Sequence, residues 1–352
     1  MIEKILSLDS SWEVLKASKL PLLIYGTGNG ADAVIDELNR LGIEISGVFA
    51  SDGFVRKRSF HGFEVKSLSQ AENEFDEFSV AVCFASSIPE VMYNILSVAE
   101  KHFSVIPVVP VYGKNIFNRM FVSNNADQFE EAYSLMADEE SCRVFSLACE
   151  SMFTGKAELF TSFDSHKDEV FRSFFSLTDS EDYLDCGAYR GDTITEFLSY
   201  TDGKYSSITA VEPDLKSFAK LGANTKSLSN TVLINKCISD REGTVMFNGG
   251  GGRQSAVSDS GYSVKCTTVD SLSIQTAFTY IKADVEGFEK ELLTGGREFI
   301  SNYRPKLNIA AYHRSEDIFL LPQLINEINP DYRIYLRKHP YIPCWDLNLY
   351  CI

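Results

Sequence analysis

The chain contains no hydrophobic run long enough to cross a bilayer; its longest apolar stretches, such as Val105–Tyr112, are short and interrupted by proline. It also lacks a charged opening followed by an apolar segment, the pattern of a secretory leader, so it reads as a soluble cytoplasmic protein. Its 8 cysteines include no Cys-x-x-Cys pair and several fall in apolar, strand-like runs, which favours free buried thiols over disulfides or zinc. No long Lys/Arg run is present, and the net charge is −16. Phosphate backbones select basic surfaces, so this balance argues against a nucleic-acid substrate. Between Asn115 and Thr178 glycine is almost missing, the single case being Gly155.

What is present is enough for ordinary buried cores: 352 residues, 44% of them hydrophobic, with a prior of two or three domains. Residues 1–20 have the spacing of an amphipathic lead-in helix. Strands are expected at Pro21–Gly26, Ile45–Ala50, Val80–Ala85 and Ser104–Val109, with helices running to Leu41 and over Pro89–Glu100. This β-α-β-α-β order makes residues 1–114 a small doubly wound unit. Residues 115–178 read as helices that connect it to a second α/β unit over 179–352. The second unit has strands near 183–186, 207–212, 231–235, 278–284, 306–311, 332–337 and 346–351. Its helices fall near 191–200, 214–228, 287–300 and 315–328. Gly243–Asn248 and Tyr262–Thr268 resemble a hairpin insertion, joined by a glycine tract at 249–252 that fits a mobile lid or a plain loop.

The most informative stretch is Asp182-Tyr-Leu-Asp-Cys-Gly-Ala-Tyr-Arg-Gly-Asp192. A buried strand, a turn opened by Gly187 and Gly191, and a helix from Thr193 form the nucleotide-binding crossover of an open sheet. A diphosphate would normally sit on such a turn and on the helix N-terminus, but Asp185 would repel it. A ligand carrying an ammonium and a sulfonium would be attracted, which points to S-adenosylmethionine held by Asp185, Gly187, Ala188, Gly191 and Thr193. The next strand ends at Glu212, 25 positions after Gly187, where an acid can accept both ribose hydroxyls.

A third element, Tyr280-Ile-Lys-Ala-Asp284-Val-Glu286-Gly287-Phe-Glu289, ends a strand at Asp284 and opens a helix near Gly287. If this strand neighbours the first, Asp284 and Glu286 share its crevice, while Glu289 reads as an N-terminal helix acid. His313 follows the strand Leu307–Tyr312 and joins Asp284 and Glu286 as a candidate general base or acceptor-binding residue. No dense carboxylate cluster completes a metal site, so a metal-free mechanism is expected. In the first unit, Gly26-x-Gly28-x-x-Ala31, with Gly30 inside it and Asp52 lying 24 past Gly28, fits a relaxed dinucleotide fingerprint. A nucleotide or nucleotide-linked sugar would suit that turn. Two alternatives stay open: a nicotinamide-dependent oxidoreductase using this first unit, and a non-catalytic protein that binds its cofactor without turnover.

The run from Tyr183 to Tyr350 resembles the FkbM family of S-adenosylmethionine-dependent methyltransferases. The matching pieces are Leu184–Asp192, Val211-Glu-Pro-Asp214, Ile281–Glu289, Ala311-Tyr-His313 and the last strand, Trp345–Cys351. The resemblance implies a Rossmann-like sheet with a reversed last strand and O-methylation of a sugar or natural-product hydroxyl. It implies that Asp185, Gly187, Gly191 and Glu212 hold the cofactor and that Asp284, Glu286 and His313 face the acceptor. Phe288 departs from the small residue common at that place, which would reshape the acceptor pocket. The first unit resembles the small Rossmann-like domains that precede sugar-modifying transferases. The expected partner is a small-molecule or saccharide acceptor, and a homo-oligomer is left open.

Overall fold

A computed structural model describes residues 1–55, 59–248, 256–257 and 261–352. The glycine tract at 249–252 and Arg253 lie outside them. The chain divides into two compact units. The first comprises Met1–Glu130, Cys142–Asp164 and Lys338–Asp346; the second comprises Glu131–Ser141, Ser165–Arg337 and Leu347–Ile352. Residues 115–178 are thus shared between the two units.

The first unit is built on β1 (Leu22–Tyr25), β2 (Gly47–Ala50), β3 (Ser59–Phe60), β4 (Phe63–Ser67), β5 (Ser79–Val82) and β6 (Phe103–Val105), in the sheet order β3-β4-β2-β1-β5-β6. All neighbours run parallel except the β3–β4 pair. Every residue of β1, β2 and β5 is buried, as expected of parallel strands covered on both faces. Ile24, Val34, Leu38, Val48, Val65 and Val105 share one core with Trp12 and Leu15. The lead-in is two helices, Ile2–Leu6 and Ser11–Ala17, because Ser10 and Glu13 form a reciprocal capping box that restarts the helix. Strand β4 and the helix Leu68–Glu74 have no counterpart in the sequence reading.

In the second unit the strands are β7 (Asp182–Cys186), β8 (Ser207–Val211), β9 (Thr231–Ile234), β10 (Cys237–Ile238), β11 (Gly243–Asn248), β12 (Ala256–Val257), β13 (Tyr262–Thr267), β14 (Tyr280–Ala283), β15 (Lys306–Ala310), β16 (Ile334–Lys338) and β17 (Leu347–Cys351). The main sheet runs β16-β17-β15-β14-β7-β8-β9, and β10-β13-β11-β12 form a smaller one in which β11 and β13 pair antiparallel, as the hairpin reading expects. Strands β7, β8, β9, β14 and β15 are parallel, and β17 runs antiparallel to β15. The expected Rossmann-like sheet with a reversed last strand is therefore the observed one.

Its core is aromatic. Tyr183 stacks on Tyr280 at 4.7 Å between ring centroids and on Phe197 at 4.4 Å, with Phe175 edge-on to Tyr280 and Tyr350. The helix expected over 287–300 is two, Glu289–Gly295 and Arg297–Tyr303. They meet at Gly296, whose φ −112° and ψ 9° leave the helical range; on the preceding Gly295 a Cβ would lie 2.2 Å from the Ser239 carbonyl oxygen, so only glycine fits there.

Candidate active site

Register decides what meets at the carboxyl edge of the main sheet. Cys186 of β7 is level with Val211 of β8 and with Ala283 of β14. The residues that follow, Gly187, Glu212 and Asp284, therefore emerge side by side. Strand β7, with partners from later crossovers on both sides, is the place where an open α/β sheet leaves a crevice.

The turn after β7 is tied down by its backbone. The N–H groups of Gly187 and Ala188 both donate to the Val211 carbonyl, at 3.0 and 3.1 Å. Gly187 has φ +81°, and a Cβ there would stand 1.9 Å from the Asp284 carbonyl oxygen. Gly191 has φ +90° and caps the helix Asp192–Tyr200. The Glu212 carboxylate accepts the N–H groups of Tyr189 and Asp214, each at 2.8 Å. Burial nevertheless pushes it up to about 7, against those two hydrogen bonds.

Asp185 is fully buried. It accepts a hydrogen bond from the Thr193 hydroxyl, and its Oδ1 lies 3.8 Å from Lys282 Nζ. Burial raises its pKa, with Lys282 as the main opposing charge. Ala188 is likewise fully buried, its methyl group in the aromatic core, so it contributes its backbone to the turn. Gly187 and Gly191 shape the turn, Thr193 anchors Asp185, and Glu212 and Asp284 are the acids at its rim.

The loop after β14 is denser in ionisable groups than the sequence suggested. His313 is buried, with Nε2 at 3.4 Å from Asp284 Oδ1 and 3.6 Å from Glu286 Oε2, and Nδ1 at 3.0 Å from Glu289 Oε1. Tyr312 donates its hydroxyl to Asp284 at 3.2 Å. Glu289 opens the helix Glu289–Gly295, as read, but it is buried, and Oε1 accepts the Val285 N–H at 2.8 Å. Glu286 holds its place with φ +55°, a backbone conformation that non-glycine residues adopt at a cost of order 1–3 kcal/mol and that clusters at functional sites. Arg314 clamps the loop by donating Nε–H to the Gly287 carbonyl at 2.9 Å.

Electrostatics divides the roles. Burial works to raise Asp284, but the Lys282 ammonium and the His313 imidazolium outweigh it and hold the carboxyl below its ordinary value. Burial pushes Glu286 up to about 7. Burial alone would lower His313, yet Glu289, Asp284 and Glu286 hold it at about 10, so it is a cation at neutral pH. Asp284, Glu289 and His313 each offer a donor atom within 4.8 Å of one another, a set of metal-ligand type.

Glu289, Tyr312 and Lys282 were missed in the sequence. The signal for Lys282 was visible: it is a lone cation inside the apolar strand Tyr280-Ile-Lys-Ala. In the first unit, Gly26 has φ +116°, and a Cβ on Gly30 would meet the Cys83 carbonyl oxygen at 2.7 Å. Gly28 caps the helix Asn29–Leu41, and Asp52, just past β2, accepts the Ser69 hydroxyl at 3.4 Å.

Residues 185–343 match the family model of the methyltransferase FkbM domain. The protein is an S-adenosylmethionine-dependent methyltransferase. Methyl transfer, rather than hydride transfer, is thus its chemistry. The crystal structure of methyltransferase FkbM from Methylobacillus flagellatus KT is similar over 100% of this chain and 97% of that chain, at 21% identity and a TM-score of 0.72, which shows the fold. A rRNA methylase from Streptococcus thermophilus aligns with 53% of this chain and 93% of its own, at 14% identity and a TM-score of 0.35. A fibrillarin from Aeropyrum pernix, solved with natively bound S-adenosyl-L-methionine, aligns with 53% and 73%, at 13% identity and a TM-score of 0.36. The search of curated proteins gives no match.

The acids fit the methyl donor. Carboxylates at Glu212 and Asp284, level with each other on either side of the β7 turn, suit a ribose diol on one side and a cationic amino-acid end on the other. Among the described residues no helix is long and apolar enough to cross a membrane.

Proposed function

We propose that the methyltransferase acts on an oxygen: it methylates a hydroxyl of a sugar or sugar-linked metabolite by general-base catalysis without a metal. The supporting observation is Glu286, a part-exposed carboxylate pushed up to about 7 beside the cofactor turn. A general base is most effective when its pKa lies near the working pH. Bound S-adenosylmethionine supplies a methyl group on a sulfonium, which an oxygen nucleophile can displace. In this reading Glu286 takes the proton from the acceptor hydroxyl. Asp284, kept ionised by Lys282 and His313, faces the cationic end of the cofactor. His313 stays protonated and steadies both carboxylates from behind.

Gly187 and Gly191 shape the cofactor turn, Ala188 and Thr193 anchor it, Asp185 braces it from inside, and Glu212 takes the ribose. We assign the turn Gly26–Gly30 with Asp52 to a nucleotide or nucleotide-linked sugar. The support is a glycine turn at the end of β1 with no carboxylate ahead of it. Sugar identity rests on the family resemblance.

Incubating candidate saccharides with labelled methyl donor and reading the products by mass spectrometry tests the reaction. Oxygen-linked label that survives a chelator supports the reading. Label on nitrogen or carbon, or activity abolished by the chelator and restored by a divalent cation, overturns it.

A further inference from the structure

Lys282 touches both halves of the site. It sits mid-strand in β14, level with Asp185 of β7 and two residues before Asp284, so the two acids and the lysine share one face of the sheet. Its Nζ lies 3.8 Å from Asp185 Oδ1 and 3.8 Å from Asp284 Oδ2, and its side chain is 11% exposed. A lysine is almost never this buried without a paired charge. The charged groups that face it are Asp185 on β7, Asp284 and Glu286 after β14, and Asp192 and Glu196 on the helix Asp192–Tyr200. Those facing Asp284 are Lys282, His313, the Tyr312 hydroxyl, Lys167, Asp185 and Glu286.

We propose that Lys282 is a positioning residue for methyl transfer: its ammonium ties the Asp185 brace of the cofactor turn to Asp284 at the mouth of the acceptor loop, so that the cofactor's cationic end meets an ionised carboxylate in a fixed place. The proposal rests on the methyltransferase reading above and adds to it a residue that touches neither substrate. Methionine at this position keeps the length of the stem but removes the charge. Asp185 is then left buried and unpaired, and Asp284 loses one of the two cations that keep it ionised.

The test uses the full chain and S-adenosylhomocysteine as the binding probe. Wild type, Lys282→Met, Lys282→Arg and the double variant Asp185→Asn/Lys282→Met are titrated by calorimetry, and kcat/KM for the methyl donor is followed against pH. The double variant carries no unpaired charge at the buried pair, so it remains informative where Lys282→Met alone fails to fold. Expected are a loss of probe affinity of about tenfold or more and, because Lys282 also lowers the pKa of Glu286, an acid limb moved to higher pH, in whichever methionine variant folds. Lys282→Arg should keep the acid limb while raising KM. Unchanged affinity and an unchanged acid limb in a folded methionine variant overturn the proposal. Unfolding of both methionine variants, together with wild-type KM in Lys282→Arg, overturns it as well and leaves Lys282 to the fold alone. A wild-type protein that fails to bind the probe refutes the underlying reading instead, which keeps the two failures distinct.

Discussion

The backbone N–H of Tyr189 donates to Glu212 Oε2 at 2.8 Å, tying the turn after β7 to the end of β8. Tyr189 has φ +46°, so the turn is held in a conformation that needs such support. The acid proposed to hold the ribose is thus also the clamp on the loop that cradles the cofactor. Glu212→Ala removes both functions, with an expected loss of S-adenosylhomocysteine affinity of about a hundredfold, from two hydrogen bonds to a charged group. Glu212→Gln keeps one acceptor oxygen and should lose less. Calorimetric titration of the two variants checks the order.

Gly187→Ala should fail more severely than any other single substitution in the turn. The new Cβ would stand 1.9 Å from the Asp284 carbonyl oxygen at a φ of +81°, so β7 and β14 would have to part. A destabilisation above about 4 kcal/mol, or no soluble protein, is expected. Denaturant unfolding of Gly187→Ala beside Gly28→Ala, which meets nothing within 4 Å, makes the comparison.

Activity should depend on pH through Glu286 and His313. Glu286 accepts a proton only when ionised, so kcat/KM should rise as pH increases through about 7. The groups facing it are His313, Asp284, Glu289 and Lys282. His313 is cationic below about 10, and its loss of charge should bring activity down above that value. Glu286→Gln should remove the acid limb together with roughly 10²–10⁴-fold of rate. A profile flat from pH 6 to 8 in the wild type would assign the base elsewhere.

Glu181 is a structural counterpart at the opposite end of the sheet. Buried, it accepts the Thr178 N–H at 2.9 Å, the Thr279 hydroxyl, and Lys306 Nζ at 2.7 Å. Burial raises its pKa, but Lys306, Thr279 and the Thr178 N–H together hold the carboxyl below 4.5. A lowered folded-state value means that its stabilisation is present above 4.5 and fades as pH falls through the folded value. Glu181→Ala should cost about 1.5–3 kcal/mol at neutral pH by removing the charged hydrogen-bond partner of Lys306, Thr279 and Thr178. Thermal melts at pH 7 and pH 3 check both the size and the sign, since the gap between variant and wild type should narrow in acid.

The main sheet was largely legible because parallel strands covered on both faces are written as short apolar runs, and those of β7, β8, β14 and β15 stand out between glycine turns. Strand β4, Phe-Glu-Val-Lys-Ser, alternates and is only half-buried, so its signal is weak. The glycine at 295 answers to a carbonyl from Ser239, far away in sequence, and no local pattern carries that contact. The acids Asp284 and Glu286 announced themselves by lying at a strand end. Glu289 did not, since four residues of loop and helix look like an ordinary helix start until His313 is seen against it. Asp185 was read as facing the ligand because a carboxylate before a glycine turn excludes diphosphate. The structure buries it, with Thr193 and Lys282 beside its carboxylate.

A crystal structure with S-adenosylhomocysteine bound tests the central claim most directly. Expected is adenosine ribose on Glu212, with the sulfur above the Gly187 turn and the amino-acid end towards Asp284. The ligand lying on the Gly26–Gly30 turn, or its ribose away from Glu212, would contradict the proposed site.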